Sequence, residues 1–300
     1  MNQRTLRKNY SFEGKGLHTG KISRMTLKPA PENTGIVFVR TDLGRKEIPA
    51  LAENVSKTTR STTISCGGAD VQTIEHVMSA LTGLGVDNAR VEIDGREVPI
   101  LDGSARAYAE AIVADGLEEQ SAERKWLELD KEIVFHNPKI GSYVKVIPSD
   151  EPGFEVTIDF DSKVLGVQDV KWNYGEDYAA EVAPCRTFCF FDDIRLLAAL
   201  GLVKGGDVEN AIVIVEKPVT ERTLHRMAKA FKQPELSVTP QGYLSNLELR
   251  FPDECGRHKL LDLIGDIRLA GGFLKARVVA YKPGHGLNTN TAKEIRKHIK

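Results

Sequence analysis

At 300 residues, with 41% hydrophobic and 28% charged residues, the chain has a globular composition and enough length for two ordinary domains rather than one small core. Its 41 Lys+Arg against 42 Asp+Glu leave a formal charge of −1, which excludes a general nucleic-acid binder with a basic excess. Met1 to Tyr10 carry basic side chains without an apolar core, and no apolar run approaches the roughly 18 residues of a membrane span, so neither a signal peptide nor membrane insertion is expected.

Gly35 to Arg40 reads as a strand. From Thr73 to Leu84, apolar residues at Ile74, Val77, Met78, Leu81 and Leu84 follow helical spacing. Thr73 is the expected cap, which puts Glu75 and His76 in the first turn, and Gly83 and Gly85 end the helix. Ala89 to Ile93 and Glu97 to Leu101 read as strands joined at the hairpin dipeptide Asp94-Gly95. Ser104 to Ala114 reads as a second helix. The polar run Glu118 to Arg124 reads as a linker, dividing the chain into domains 1–123 and 124–300.

Strands resume at Trp126 to Leu129 and at Phe154 to Phe160. Helices are expected over Asp192 to Leu200 and Arg257 to Leu269, the latter ending at Gly271-Gly272 before the strand Ala276 to Tyr281. Helix, glycines, strand thus occurs twice, at Leu81–Ile93 and Leu269–Tyr281. The expected class is therefore α+β, two similar domains, each a mixed sheet packed against two helices. Cys66, Cys185, Cys189 and Cys255 form neither a disulfide framework nor a zinc ribbon, and reduced thiols in the cytoplasm are expected.

On a helix at about 100 degrees per residue, His258, Lys259, Asp262 and Asp266 share one arc, opposite Leu260, Leu261, Leu263, Ile264 and Ile267. His258 and Asp262 stand four apart and can reach one ion. Alone, such an arc is far more often a solvated polar stripe, and a lone His near a helix start, as in Glu75-His76, is usually a surface or hydrogen-bonded residue. The combination points to a metallohydrolase, which needs about three ligands, a carboxylate to take a proton from water, and an acid for the leaving amine. His76, His258 and Asp262 are the candidate ligands, Glu75 the base and His285 the acid. The last sits in Lys282-Pro283-Gly284-His285-Gly286, with Asp266 available to orient it. His-Glu-x-x-His, the signature of the common metalloproteases, is not the pattern here. His136, His225 and His298 lie outside any motif.

These segments occur with Gly14-Lys15-Gly16-Leu17-His18-Thr19-Gly20, Thr73-Ile74-Glu75-His76, Gly83-Leu84-Gly85-Val86-Asp87-Asn88, Pro99-Ile100-Leu101-Asp102-Gly103-Ser104, Ala183-Pro184-Cys185-Arg186-Thr187-Phe188 and Lys282-Pro283-Gly284-His285. In that set and order the chain resembles the UDP-3-O-acyl-N-acetylglucosamine deacetylases of lipid A synthesis. The resemblance covers nearly the whole chain. It implies an active site between two similar domains, and zinc (Zn2+) on His76, His258 and Asp262. It implies Glu75 as base, His285 as acid supported by Asp266, and Thr187 and Lys259 as oxyanion or substrate contacts. It further implies Phe160 and Asp159 at the uridine and Lys282 at the diphosphate, with His18 in a loop nearby. Cys185 and Cys189 stand where small residues are more usual. Some relatives continue into a dehydratase domain.

An acyl passage is expected after Thr187, along Phe188, Phe190, Phe191, Ile194, Leu197, Leu200 and Val203, then Gly205-Gly206 and a strand Ala211 to Val215, though ordinary core accounts for several of these. The expected partner is the acylated UDP-sugar, with the protein a monomer. A binding module that has lost catalysis, or an amidase for another substrate, are the competing readings. The first has no use for a Glu75–His285 proton-transfer pair.

Overall fold

In a computed structural model of the chain, described over residues 1–194, 210–231 and 233–299, the two halves repeat one plan. β1 (Asn2–Leu6) precedes β2 (Tyr10–Lys15), β3 (Ile22–Pro29), β4 (Ile36–Arg40) and β5 (Lys46–Pro49). A small sheet of β6 (Val55–Lys57), β7 (Thr63–Cys66) and β8 (Ala69–Gln72) leads into helix α1 (Glu75–Gly83). Strand β9 (Ala89–Ile93), helix α2 (Arg106–Asp115) and strand β10 (Leu117–Glu123) complete the half. The second half runs β11 (Ile133–Asn137), β12 (Ser142–Pro148), β13 (Gly153–Asp159) and β14 (Val167–Asn173). It continues with α3 (Tyr178–Glu181), β15 (Phe188–Phe190), β16 (Ile212–Ile214) and α4 (Glu221–Ala230), and closes with α5 (Glu254–Ile267), β17 (Ala276–Tyr281) and α6 (His285–His298).

The main sheets have the orders β2-β3-β9-β4-β5 and β11-β12-β17-β13-β14. In each, the third strand comes last in sequence and pairs in parallel with its fourth neighbour, β9 with β4 and β17 with β13, all other pairs being antiparallel. In each, one helix precedes that strand (α1, α5) and one follows it (α2, α6). The echo legible in the sequence is therefore a whole-half repeat. Strand alternation follows from one-sided burial: β9 and β17 bury every second residue.

Helix α5 is buried along almost its whole length, His258, Asp262 and Asp266 included, each at most 2% exposed. The solvated-stripe alternative for this arc is thereby removed. The helix lies between α1 of the other half, α6, and strands β13 and β14. Gly265 permits the approach to α1, since a Cβ there would stand 2.1 Å from the Glu75 carbonyl oxygen.

Several expectations are corrected. Thr73 does not cap α1: it has φ +61, the cap position is Ile74, and the Thr73 hydroxyl donates to Glu97 Oε1 at 3.0 Å. Asp94-Gly95 is not a hairpin, because both edges of β9 are already taken by β3 and β4. Glu97 makes an isolated bridge to Gln72, and residues 98–101 form no strand; Pro99 has no N–H to offer one. The expected linker is strand β10, antiparallel to β1 from Leu6↔Leu117 to Asn2↔Glu123. It is polar because four of its seven side chains are exposed and none is buried. Trp126 to Leu129 contributes an isolated bridge, Leu127 to Leu274. Of the expected helix Asp192 to Leu200, residues 192–194 are helical; Leu197, Leu200, Val203 and Gly205-Gly206 lie outside the described residues. Among the described residues no helix is long and apolar enough to cross a membrane. All four cysteines are free thiols.

Candidate active site

The contact between α1 and α5 sets the first turn of one helix against the polar arc of the other. His258 and Asp262, one turn apart, place His258 Nε2 3.5 Å from Asp262 Oδ1, and His76 Nε2 reaches the same oxygen at 3.8 Å. The two imidazoles meet edge to face, with centroids 5.0 Å apart. His258 Nδ1 lies 3.0 Å from the Cys185 carbonyl, which fixes that nitrogen as the donor and leaves Nε2 as a lone pair. Asp262 Oδ2 accepts from Lys259 Nζ at 2.8 Å, whereas Oδ1 is buried with no hydrogen-bond partner.

An unpaired buried carboxylate oxygen costs about 1–3 kcal/mol or more, and a cation removes that cost. The three donor atoms all lie within 4.8 Å of one another. Atoms bound at 2.0–2.2 Å to a tetrahedral ion would stand about 3.4 Å apart, so two imidazoles and one carboxylate fit a divalent ion. Protonation states agree. Burial, with the neighbouring His258, pushes His76 down to about 3, and burial also pushes His258 down, which favours the neutral imidazoles that a metal needs. Burial acts to raise the Asp262 carboxyl, but the Lys259 ammonium and His258 outweigh it and hold the group well below the usual carboxylate range.

Beside the triad stand Glu75 and His285. Glu75 Oε2 accepts the Thr62 backbone N–H at 3.0 Å, and Oε1 faces His285 Nε2 at 3.8 Å. Burial raises the Glu75 carboxyl to about 7, with Asp262 and Asp266 adding to it and His285 opposing. His285 is the first residue of α6, after a Gly284 cap. Its Nδ1 bonds Asp266 Oδ2 at 2.9 Å. Burial acts to lower its pKa, but the charges of Asp266 and Glu75 raise it to about 9. Asp266 also accepts from Asn288 Nδ2 at 3.0 Å and from Thr62 Oγ1 at 2.6 Å. A Cβ on Gly286 would meet Thr58 Oγ1 at 3.3 Å, whereas one on Gly284 would meet nothing within 4 Å.

An aromatic line leads outward from the triad. The Phe188 ring lies 6.4 Å from that of His258 and 6.0 Å from Lys259 Nζ. Phe160, 42% exposed, packs on Phe188 and Phe190 at 5.5 and 5.9 Å. At its far end Asp159 Oδ2 accepts from the Tyr281 hydroxyl at 2.9 Å and pairs with Lys282 Nζ at 3.1 Å. Thr187, next to Phe188, is tied by its N–H to the Gly103 carbonyl at 2.8 Å. Phe191 is only 3% exposed and belongs to a second small core with Val213, Val215, Met227 and Leu244, and Ile194 packs against it.

His18 is held by its backbone N–H to Glu97 Oε1 at 2.9 Å, and its imidazole Nε2 is buried without a partner. Among the described residues no hydrogen bond or ion pair joins it to the triad. Three contributors to the site carried no signal in the residue pattern: Thr62, Asn288 and the Cys185 carbonyl. Only the Cys185 segment had been singled out, and there for its side chain.

The family model "LpxC: UDP-3-O-acyl N-acetylglycosamine deacetylase" matches residues 3–233 and 232–297. The chain belongs to this deacetylase family. It is 42% identical over 99% of its length to a bifunctional enzyme LpxC/FabZ of Chlorobaculum tepidum, and 40% identical over its full length to that of Bacteroides thetaiotaomicron. It spans 65% of the length of each of these two relatives. It is also 42% identical to the UDP-3-O-acyl-N-acetylglucosamine deacetylase of Myxococcus xanthus, over 98% of this chain and 86% of the relative. Members of the deacetylase family thus match both sheet-rich halves, and the two helices that meet at the triad come one from each.

Proposed function

We propose that the chain is a zinc-dependent deacetylase that hydrolyses the N-acetyl amide of UDP-3-O-acyl-N-acetylglucosamine in the cytoplasm, in lipid A synthesis, and acts as a monomer. The observation that carries this is the buried, unpartnered Oδ1 of Asp262 facing two neutral imidazoles, with Glu75 and His285 beside it. The names of the relatives supply the substrate. Two nitrogens and one carboxylate oxygen suit zinc with a position left open, whereas carboxylate-rich oxygen sets suit magnesium or calcium. We take residues 1–123 and 124–300 as the two domains, the second carrying the inserted acyl-binding element.

A metal on His76, His258 and Asp262 would supply Lewis-acid chemistry, polarising the carbonyl and acidifying water. The chain's own groups do the rest. Glu75 accepts the proton of the attacking water at Oε1, since Oε2 is occupied by the Thr62 amide. The water oxygen bonds the acetyl carbon. Thr187 and Lys259 stabilise the charge that develops on the carbonyl oxygen. His285, protonated and oriented by Asp266, donates from Nε2 to the amine nitrogen as the C–N bond breaks. Acetate and the free amine leave. Phe160 and Asp159 receive the uridine, Lys282 the diphosphate, and Phe191 and Ile194 belong to the acyl-binding element.

The test is acetate release by the zinc-loaded protein from the acylated nucleotide sugar and from the same sugar without its 3-O-acyl chain. Each buried CH₂ contributes about 0.8 kcal/mol, so four of them give a preference on the order of 100-fold in kcat/KM for the acylated form. Equal efficiency on both would make the protein a general amidase.

The pH profile is expected to be bell-shaped. Glu75 works ionised, above its raised pKa of about 7, and His285 works protonated, below its raised pKa of about 9. A divalent cation beside them lowers both values, so the window of activity moves to the acid side of this interval. His285→Ala should remove or displace the descending limb as well as lower the rate. An unchanged limb in that variant would assign it to another group.

A further inference from the structure

Thr62 makes two hydrogen bonds that no other residue among those described combines. Its backbone N–H donates to Glu75 Oε2 at 3.0 Å, and its hydroxyl donates to Asp266 Oδ1 at 2.6 Å. It is fully buried, at the end of the loop between β6 and β7, so its loop belongs to the first half while Asp266 belongs to α5 of the second. A carboxylate has two oxygens and by itself does not specify which one acts. Thr62 occupies one oxygen of each group. What remains is Oε1 of Glu75, facing His285 Nε2 at 3.8 Å, and Oδ2 of Asp266, bonded to His285 Nδ1 at 2.9 Å.

We infer that Thr62 is a positioning residue for proton transfer, which selects the working oxygen of the base and of the carboxylate that orients the acid. The inference rests on the reading of Glu75 and His285 as the proton-transfer pair. The other donors to Asp266, Asn288 Nδ2 and His285 Nδ1, both meet Oδ2, so Thr62 is the one described donor on Oδ1. Without it, Asp266 is held through Oδ2 alone, by Asn288 and His285, so the carboxylate plane is less constrained and the direction it imposes on His285 loosens. The amide half of the device survives any side-chain change; the hydroxyl half does not.

Thr62→Val is nearly isosteric, keeps the amide and removes the hydroxyl. In zinc-loaded protein it should lower kcat by about 10- to 100-fold, the range for lost hydrogen bonds to orienting groups, with KM and bound zinc close to wild type. Thr62→Ser should restore most of the loss. A second reading needs no catalysis: the proton on His285 Nδ1, assigned by its absence in His285→Ala, should appear far downfield by NMR in wild type and Thr62→Ser, and move upfield or broaden in Thr62→Val. Unchanged kcat and an unchanged proton signal in Thr62→Val would overturn the inference. So would Thr62→Ser behaving like Thr62→Val, since the role would then lie in packing of the methyl group. If Thr62→Val does not fold, Thr62→Ala against Thr62→Ser decides by the same two readings. If wild type releases no acetate, the proposed activity fails while the NMR signal still decides whether Thr62 orients Asp266 and His285.

Discussion

Glu75→Gln is expected to retain its zinc while losing a factor of about 10² to 10⁴ in kcat, the usual contribution of a general base. That factor corresponds to about 3–5 kcal/mol of transition-state stabilisation. The geometry separates base from ligand. Glu75 Oε2 is committed to the Thr62 amide, and Oε1 faces His285, while the three candidate ligands converge on a different point around Asp262 Oδ1. Glutamine has the same shape and can still accept the Thr62 N–H, so the first turn of α1 and the neighbouring His76 should stay in place. What it cannot do is hold a proton taken from water. Metal analysis together with kcat and KM on the acylated substrate tests this. Loss of zinc in Glu75→Gln would make Glu75 a ligand, and unimpaired turnover would move the base elsewhere.

The second large effect is expected at the ligands. His76→Ala should lower zinc affinity by more than the factor of 10 to 100 that loss of an outer hydrogen bond costs, and activity should fall with occupancy. His76 is the cleanest site for this test because the other two are tied into the fold. His258 carries the Cys185 carbonyl on its far nitrogen. Asp262 is the buried counter-ion of the half-buried Lys259 ammonium, and breaking a fully buried pair by removing one partner costs about 3–5 kcal/mol of stability, the upper bound for this one. Asp262→Ala should therefore both release zinc and lower the melting temperature of the metal-free protein. His76→Ala should release zinc with little change in the metal-free protein. In wild type, added zinc should raise the melting temperature, since a ligand that binds only the folded state stabilises by RT ln(1 + [L]/Kd). Zinc content by elemental analysis and melting curves with and without zinc read both. Full zinc occupancy in His76→Ala would refute the ligand assignment.

The candidate ligand set was legible in the residues because helical spacing is rigid. Four positions bring two side chains to one face whatever the surrounding fold, so His258-x-x-x-Asp262 marked a shared face; that this face is buried as well as the leucine side came from the packing of α5. The repeated helix–glycine–strand pattern likewise announced the duplication, since one-sided burial writes periods of about 3.6 and 2 into a chain. Contacts between distant segments write no such period. Thr62 and Asp266 are 204 positions apart, and a threonine in a polar loop has no pattern to mark it. Glu97 reads as a strand residue, yet its buried carboxylate holds the His18 and Thr19 amides and the Thr73 hydroxyl, which overrides both the expected strand and the expected cap. The polarity of β10 reads as a linker because an exposed ribbon satisfies its backbone through β1 and leaves its side chains to solvent. Local order thus followed from periodicity and burial within one segment. Which oxygen of Glu75 and of Asp266 faces His285 was decided only by tertiary structure, because one loop residue, Thr62, meets the other oxygen of both groups, one of them 204 positions away.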